Sequence, residues 1–271
     1  MRTIYLGILM SLLAVSSANA SSLYFGVVPQ QSANKMAKLW TPIFQYLSEK
    51  TGEDIRFSTA RDIPTFEKRL ARGEYDIAYM NPYHYTVFHQ VPGYQAIARQ
   101  KDKRIKGIVV VHKDSPIQDI AELDKQKMAF PSPAAFAASI IPRAKMEQQG
   151  IKMIPIYVSS HDSVYMNVAR GFFPAGGGVM RTFNNSAPEI RDQLKVLWTT
   201  PTYTPHAIAT HPRVNADTVE KIKTALLEMN QDPKGKALLK DINFKGIELA
   251  ENADWDDVRA LNIKLLDEVI K

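Results

Sequence analysis

The chain contains no cysteine. That excludes disulfides, thiol catalysis and thiolate metal sites, and it excludes lipid attachment to an N-terminal cysteine. Its six histidines, at 84, 89, 112, 161, 206 and 211, show neither H-x-x-x-H nor H-E-x-x-H spacing, so no metal site is expected. No G-x-S-x-G occurs, and the carboxylates are scattered. No catalytic group and no enzyme is therefore expected, and no cofactor is implied. Gly176-Gly177-Gly178 lacks a following Lys-Ser or Lys-Thr, so it is not a nucleotide-phosphate loop. Beyond the first twenty residues no apolar run is long enough to span a bilayer. The formal net charge of +6 is spread along the chain, as in KDKRIK (101–106) and KIK (221–223). No Lys/Arg block alternates with aromatics, so nucleic acid is not an expected partner. The basic balance reads as solubility with a modest pull on anions.

What is present begins with MRTIYLGILMSLLAVSSANA. Arg2, an apolar run from Ile4 to Val15 and the terminal Ala18-Asn19-Ala20 form the pattern of a cleavable secretory signal peptide over 1–20. The expected location is the periplasm. Roughly 250 residues remain, enough for a sizeable core in one or two domains.

Those residues alternate strands with helices, which predicts an α/β fold with largely parallel sheets. LYFGVVPQ (23–30), IRFSTA (55–60), YDIAYMNP (75–82), QAIARQ (95–100) and KGIVVVHK (106–113) read as strands. Met36, Trp40, Ile43, Phe44 and Leu47 share one face of an intervening helix that Gly52 ends. After residue 114 the alternation restarts. A helix over 115–123 capped by Ser115 is predicted, then strands at 127–133, 153–159 and 195–200, with helices over 134–150 and 161–171. The tail reads as helices over 215–230, 232–240 and 254–270. Two extended crossings, near 109–114 and 201–210, divide this into two lobes. Lobe I is 22–110 plus the return 206–271, and lobe II is 111–205. Two lobes on two crossings make a hinged clamp with a ligand cleft between them.

Several segments, taken in order, resemble the phosphonate-type periplasmic solute-binding proteins, the phosphate/phosphite/phosphonate-binding components of ABC importers. They are the opening strand ending at Pro29, DIAYMNPYHY (76–85), SPIQDIAEL (115–123), FPSPAAFAASIIP (130–142) and SHDSVYMNVARG (160–171). The resemblance implies the two-lobed binding-protein fold, a cleft ligand and no catalysis. It implies a membrane permease as partner. It sets Tyr85 at the family's pocket aromatic, with Asn81 in place of a glycine. It sets His161 at a ligand-contacting histidine. The family's Ser-Thr-Ser-Gly turn, whose hydroxyls hold phosphonate oxygens, corresponds to Ala135-Phe136-Ala137-Ala138, so the three hydroxyls are missing.

The residues themselves add to this. A helix N-terminus near Ala135 offers N–H groups and a positive dipole end to an anion, with Ser132 and Ser139 flanking the turn and Phe136 within it. The same segment also reads as a packed Ala-rich helix. His161-Asp162-Ser163 stands where a strand meets a helix, as cleft residues or as caps. A cleft histidine would tie affinity to pH. Arg181 is a candidate bidentate partner for an anion. Tyr79, Tyr83, Tyr85, Tyr165 and Tyr203 fall near cleft edges. An aromatic cage for an ammonium ligand stays open beside the anion site. The candidate ligand-binding set is Tyr79, Asn81, Tyr85, Ser132, Phe136, Ser139, His161 and Arg181. The expected function is capture of a small anionic, phosphonate-like or organic ligand by hinge closure for an ABC importer. The alternative is a periplasmic receptor whose closed form docks on a membrane sensor kinase.

Overall fold

The computed structural model describes residues 22–269, so the expected signal peptide lies outside the described residues. The chain starts with β1 (Leu23–Val27), α1 (Ala33–Thr51), β2 (Ile55–Ser58), α2 (Ile63–Ala71), β3 (Ile77–Met80), α3 (Pro82–Phe88) and β4 (Gln95–Gln100). It then leaves to form β5 (Gly107–His112), β6 (Lys127–Phe130), β7 (Ile154–Tyr157), β8 (Ala175–Val179) and β9 (Leu194–Thr199). It returns for β10 (Ala207–Thr210) and β11 (Ile247–Leu249). One sheet has the order β11-β4-β10-β3-β1-β2, the other β7-β6-β8-β5-β9. Each sheet, with its helices, is one lobe.

Local chemistry explains the elements. The helical stripe of α1 buries Met36, Trp40, Ile43, Phe44 and Leu47. Gly52 stops it in the left-handed region at φ 74, where its N–H donates to the Ser48 carbonyl at 2.9 Å. Asp62 caps α2 by accepting from the Thr65 N–H at 2.8 Å. All four residues of β3 are buried, as expected for a strand covered on both faces.

The sheets are parallel where a helix connects neighbours, as in β1 with β2 and β3, or β6 with β7. They are antiparallel at the strands that arrive from the other lobe. β10 runs against β3 and β4, and β5 runs against β8 and β9. A strand entering from the opposite side has no crossover helix to turn it around.

Some expectations are corrected. The first crossing lies at residues 101–106, not 109–114, because β5 already belongs to the second sheet. The second occupies 200–206. Ile105 and Tyr203 pair antiparallel and exchange two 2.8 Å backbone hydrogen bonds, which tie the crossings together. The helix expected over 115–123 is reduced to one 3-10 turn at Ile120–Leu123. Asp119, not Ser115, caps it, with Glu122 completing a capping box. The helix expected over 254–270 breaks into turns at Asn252–Trp255, Asp256–Arg259 and Asp267–Val269. Asn262 at φ 49 interrupts it, so Leu261 and Leu265 stay exposed while Trp255, Val258 and Leu266 are buried. Among the described residues no helix is long and apolar enough to cross a membrane.

Candidate ligand-binding site

Residues at the carboxyl ends of strands in both sheets meet between the lobes, where ligands bind in open α/β sheets. Gln30 follows β1, and Asn81 follows β3. His161 follows β7 and opens α5 (His161–Ala169); Arg181 follows β8; His206 precedes β10. From β6 the chain turns through Ala135 into a π-helical turn, Phe136–Ile140, that continues as α4 (Ile141–Gln148).

Hydrogen bonds join the lobes across this cleft. The His161 N–H donates to the Gln30 carbonyl at 3.0 Å. Asn81 caps α3, accepting from the His84 N–H at 2.8 Å, while its Nδ2 donates to the Ala134 carbonyl at 3.2 Å. Asp162 accepts from Gln31 Nε2 at 3.2 Å and from the Ser32 N–H at 3.3 Å. Lys35 Nζ donates to the Asn185 carbonyl. The segment from Ala134 to Ile141 also shares one buried apolar cluster with Val28 and Tyr79 of the first lobe. The structure is therefore a closed clamp. The expected capping role of Asp162 or Ser163 is replaced: Ser160 caps α5 by accepting from the Ser163 N–H at 3.1 Å. Asp162 is thereby left to reach the other lobe.

Two neighbouring cavities lie in the cleft. One, of about 10 Å³, is lined by Gln30, Asn81, His161, His206 and the Ala135–Ala138 turn, Phe136 included. That is space for a single water-sized group. The other, of about 100 Å³, lies at the hinge and is lined by Tyr79, Lys103, Arg104, Lys106, Arg181 and His206, among others. Ile105, Val179 and His206 line both.

A polar chain runs along the shared wall. Arg181 Nη2 donates to Gln30 Oε1, and Gln30 Nε2 meets His206 Nε2 at 3.2 Å. An amide nitrogen only donates, so His206 accepts at Nε2 and carries its proton on Nδ1. Burial, then the charge of Arg181, pushes the His206 pKa well below its ordinary value, which agrees with a neutral ring. His206 stacks on Tyr79 with ring centroids 4.9 Å apart. His161 is buried, and its Nδ1 lies 3.1 Å from Thr182 Oγ1. Desolvation, reinforced by Arg181, lowers its pKa to about 3. In the closed form it is therefore neutral around pH 7, which moves any dependence of closure on pH into the acid range.

The eight predicted residues separate into three groups. Asn81, Phe136 and His161 line the smaller cavity; Tyr79 and Arg181 line the hinge cavity. Ser132 and Ser139 are buried beside the turn, with hydroxyls that have no hydrogen-bond partner, and they line neither cavity. Tyr85 points away, into the core of the first lobe. Its hydroxyl donates to Asn252 Oδ1 at 3.1 Å and accepts from the Ala96 N–H at 3.3 Å, and its ring packs on Trp255. Tyr83 and Tyr165 are likewise buried structural residues; their hydroxyls bond to Leu266 and to Val179. Tyr203 sits in the hinge, edge-on to Phe136 at 5.4 Å. Sequence reasoning missed Gln30, His206, Lys103 and Lys106. For the two lysines the available signal was their place in a crossing; Gln30 and His206 carry none until the fold brings them together.

Two α/β lobes on a double crossing, closed over a polar cleft, are the architecture of a periplasmic solute-binding protein. The chain belongs to the family described as "ABC transporter, phosphonate, periplasmic substrate-binding protein", whose model matches residues 25–255. It is 22% identical to the phosphate-import protein PhnD of Mycolicibacterium smegmatis, over 86% of this chain and 82% of that one. It is also 22% identical to the phosphonates-binding periplasmic protein of Escherichia coli, over 89% of this chain and 75% of that one. PhnD1 from Prochlorococcus marinus, solved in complex with methylphosphonate, has the same fold. Its TM-score is 0.83 at 18% identity, covering 91% of this chain and 99% of that one.

Proposed function

We propose that this protein captures a small anionic ligand between its lobes, closes on it, and presents the closed form to the permease of an ABC importer from the periplasm. Family membership supports the transport role. The single observation that carries the anionic reading is the composition of the cleft wall. Arg181 and the hinge lysines face it, both imidazoles are held neutral, and no aspartate or glutamate lines either cavity. An ammonium ligand in an aromatic cage would need the opposite sign of field. Phosphonate oxygens would lie at the Ala135–Ala138 turn, held by backbone N–H groups in place of hydroxyls. Closure follows from contacts to both lobes, since a ligand held by one lobe alone biases nothing.

The test is native mass spectrometry of protein purified without denaturation, followed by uptake of the retained molecule in cells with and without the gene. A retained anion whose uptake requires the gene supports the reading. A retained cation, or uptake unchanged by the deletion, refutes it. Intact uptake with a lost transcriptional response to the ligand would favour docking on a sensor kinase instead.

A further inference from the structure

The hinge cavity has a charge pattern that one acid group at the Ala135–Ala138 turn leaves unmatched. Four cations line it: Lys103, Arg104, Lys106 and Arg181. Arg104 is committed elsewhere; its guanidinium pairs with Asp257 Oδ2 at 2.7 Å and donates to Thr204 Oγ1 at 3.0 Å. The other three have no carboxylate oxygen within 4.0 Å among the described residues, and Arg181 is answered only by the neutral amide of Gln30. Lys103 is exposed at the mouth of the cavity, and partial desolvation together with Arg181, Lys106 and Lys245 lowers its pKa, so the cluster repels itself. In this closed form the charges face one cavity from two sides. Lys103 and Lys106 lie on a crossing, and Arg181 follows a strand of the second sheet. The hinge cavity also holds most of the space in the cleft, about 100 Å³ against about 10 Å³ at the turn. Tyr79, Ile105, Met180 and Pro205 give it apolar wall for a short carbon chain.

Resting on the solute-binding reading above, we infer that the ligand is a small organic dianion. One acid group lies at the turn, where the space of about 10 Å³ between the closed lobes has to widen to admit it. The second, at the end of a short chain, occupies the hinge cavity against Lys103, Lys106 and Arg181. Bare phosphate and simple alkylphosphonates leave the basic end unpaired. A ligand with an ammonium tail places like charge against like.

The probes are 3-phosphonopropionate and glutarate, each with two acid groups, against ethylphosphonate and butyrate, each with one, and 2-aminoethylphosphonate with a cationic tail. Calorimetry is expected to show each two-acid probe binding about 100-fold tighter than its one-acid counterpart, the scale of charge-assisted hydrogen bonds to a desolvated acid. The double substitution Lys103→Gln with Lys106→Gln is expected to reduce that preference about tenfold, weakening the two-acid probes much more than the one-acid probes. The pair Lys103→Arg with Lys106→Arg is expected to keep it. Equal binding of one- and two-acid probes, tighter binding of 2-aminoethylphosphonate, or a preference untouched by the Gln pair overturns the inference. If no probe binds, the natively retained molecule decides: two acid groups support the inference, and one or none overturns it while the solute-binding reading stands. No heat from any probe and no retained molecule overturns both.

Discussion

A Cβ placed on Gly177 would lie 2.0 Å from the carbonyl oxygen of Ala138, and one on Gly107 would lie 1.8 Å from that of Ala137. The cleft turn therefore rests with its carbonyls directly on bare backbone of β8 and β5. This is the physical reason for Gly177 in β8, whereas Gly176 and Gly178 make room for Val164 and Tyr165 of α5. Gly177 does not cradle phosphate itself; it lets the turn seat close to the sheet, so that the helix N-terminus is presented to the cleft.

Gly177→Ala is thus expected to displace the turn. The cost is overpacking against backbone that cannot rotate away, about 1–3 kcal/mol. Chemical denaturation should show that loss of stability, and ligand affinity should fall with it. A variant with wild-type stability and affinity would mean that the turn is not seated as described.

Tyr85→Phe separates the core from the site. The substitution removes a hydroxyl that bridges Asn252 and the Ala96 N–H inside the first lobe. Stability is expected to drop by about 1 kcal/mol, with no change in affinity for the retained ligand. A large affinity loss at unchanged stability would return Tyr85 to the pocket.

The strand–helix alternation and its restart were legible because apolar periodicity reports burial directly. The position of the first crossing was not. β4 and β5 are both short runs that end in polar residues, and nothing local says which sheet a strand joins. The 254–270 stretch has helical spacing in Trp255, Val258, Leu261, Leu265 and Leu266. Yet Asn262, a residue that tolerates the left-handed region, breaks it, and beyond the break the Leu266 N–H donates to the Tyr83 hydroxyl. At the site, polar residues following strand ends, such as His161 and Arg181, could be singled out. Gln30 and His206 could not, because a neutral amide and a solitary histidine acquire meaning only once the first sheet brings the ends of β1 and β10 together, within 3.2 Å. Tyr85 follows a strand end too, but its helix turns it inward.

Acid should open the clamp. The His161 pKa is lowered from 6.5 to about 3 in the closed, folded form. Below pH 6.5 an unfolded or open form takes up a proton that the closed form refuses. The stabilisation is therefore complete above 6.5 and declines as pH falls toward 3. The slope is about 1.4 kcal/mol per pH unit for each proton taken up. His206, also shifted down, acts in the same direction. Small-angle scattering between pH 7.5 and 4.5 should show expansion, and His161→Gln should flatten the dependence. A radius of gyration constant over that range would contradict this.

Missing hydroxyls at Ala135, Phe136 and Ala137 should leave methylphosphonate and phosphate weak ligands. Three hydrogen bonds to a charged group, at about 1.5–3 kcal/mol each, amount to orders of magnitude in affinity even after partial compensation by backbone donors. Calorimetry with each compound checks this directly. Submicromolar binding of either would show that the backbone of the turn suffices.

Arg181 is the residue on which the proposed anion site and the contact between lobes converge. Its guanidinium reaches Gln30 of the first lobe, lines the hinge cavity and depresses the pKa of both His161 and His206. It is also only partly buried when the clamp is closed. Removing it should therefore cost the fold little and the ligand much. Arg181→Ala is expected to leave thermal stability near wild type while weakening the natively retained ligand about 10- to 100-fold. The same variant should soften the acid response, because the histidines lose a cationic neighbour that keeps them neutral. Arg181→Lys should recover part of the affinity through charge but not the forked geometry. If Arg181→Ala binds the retained ligand like wild type, closure is driven from the His161 side of the cleft and the hinge cations are a solvated surface.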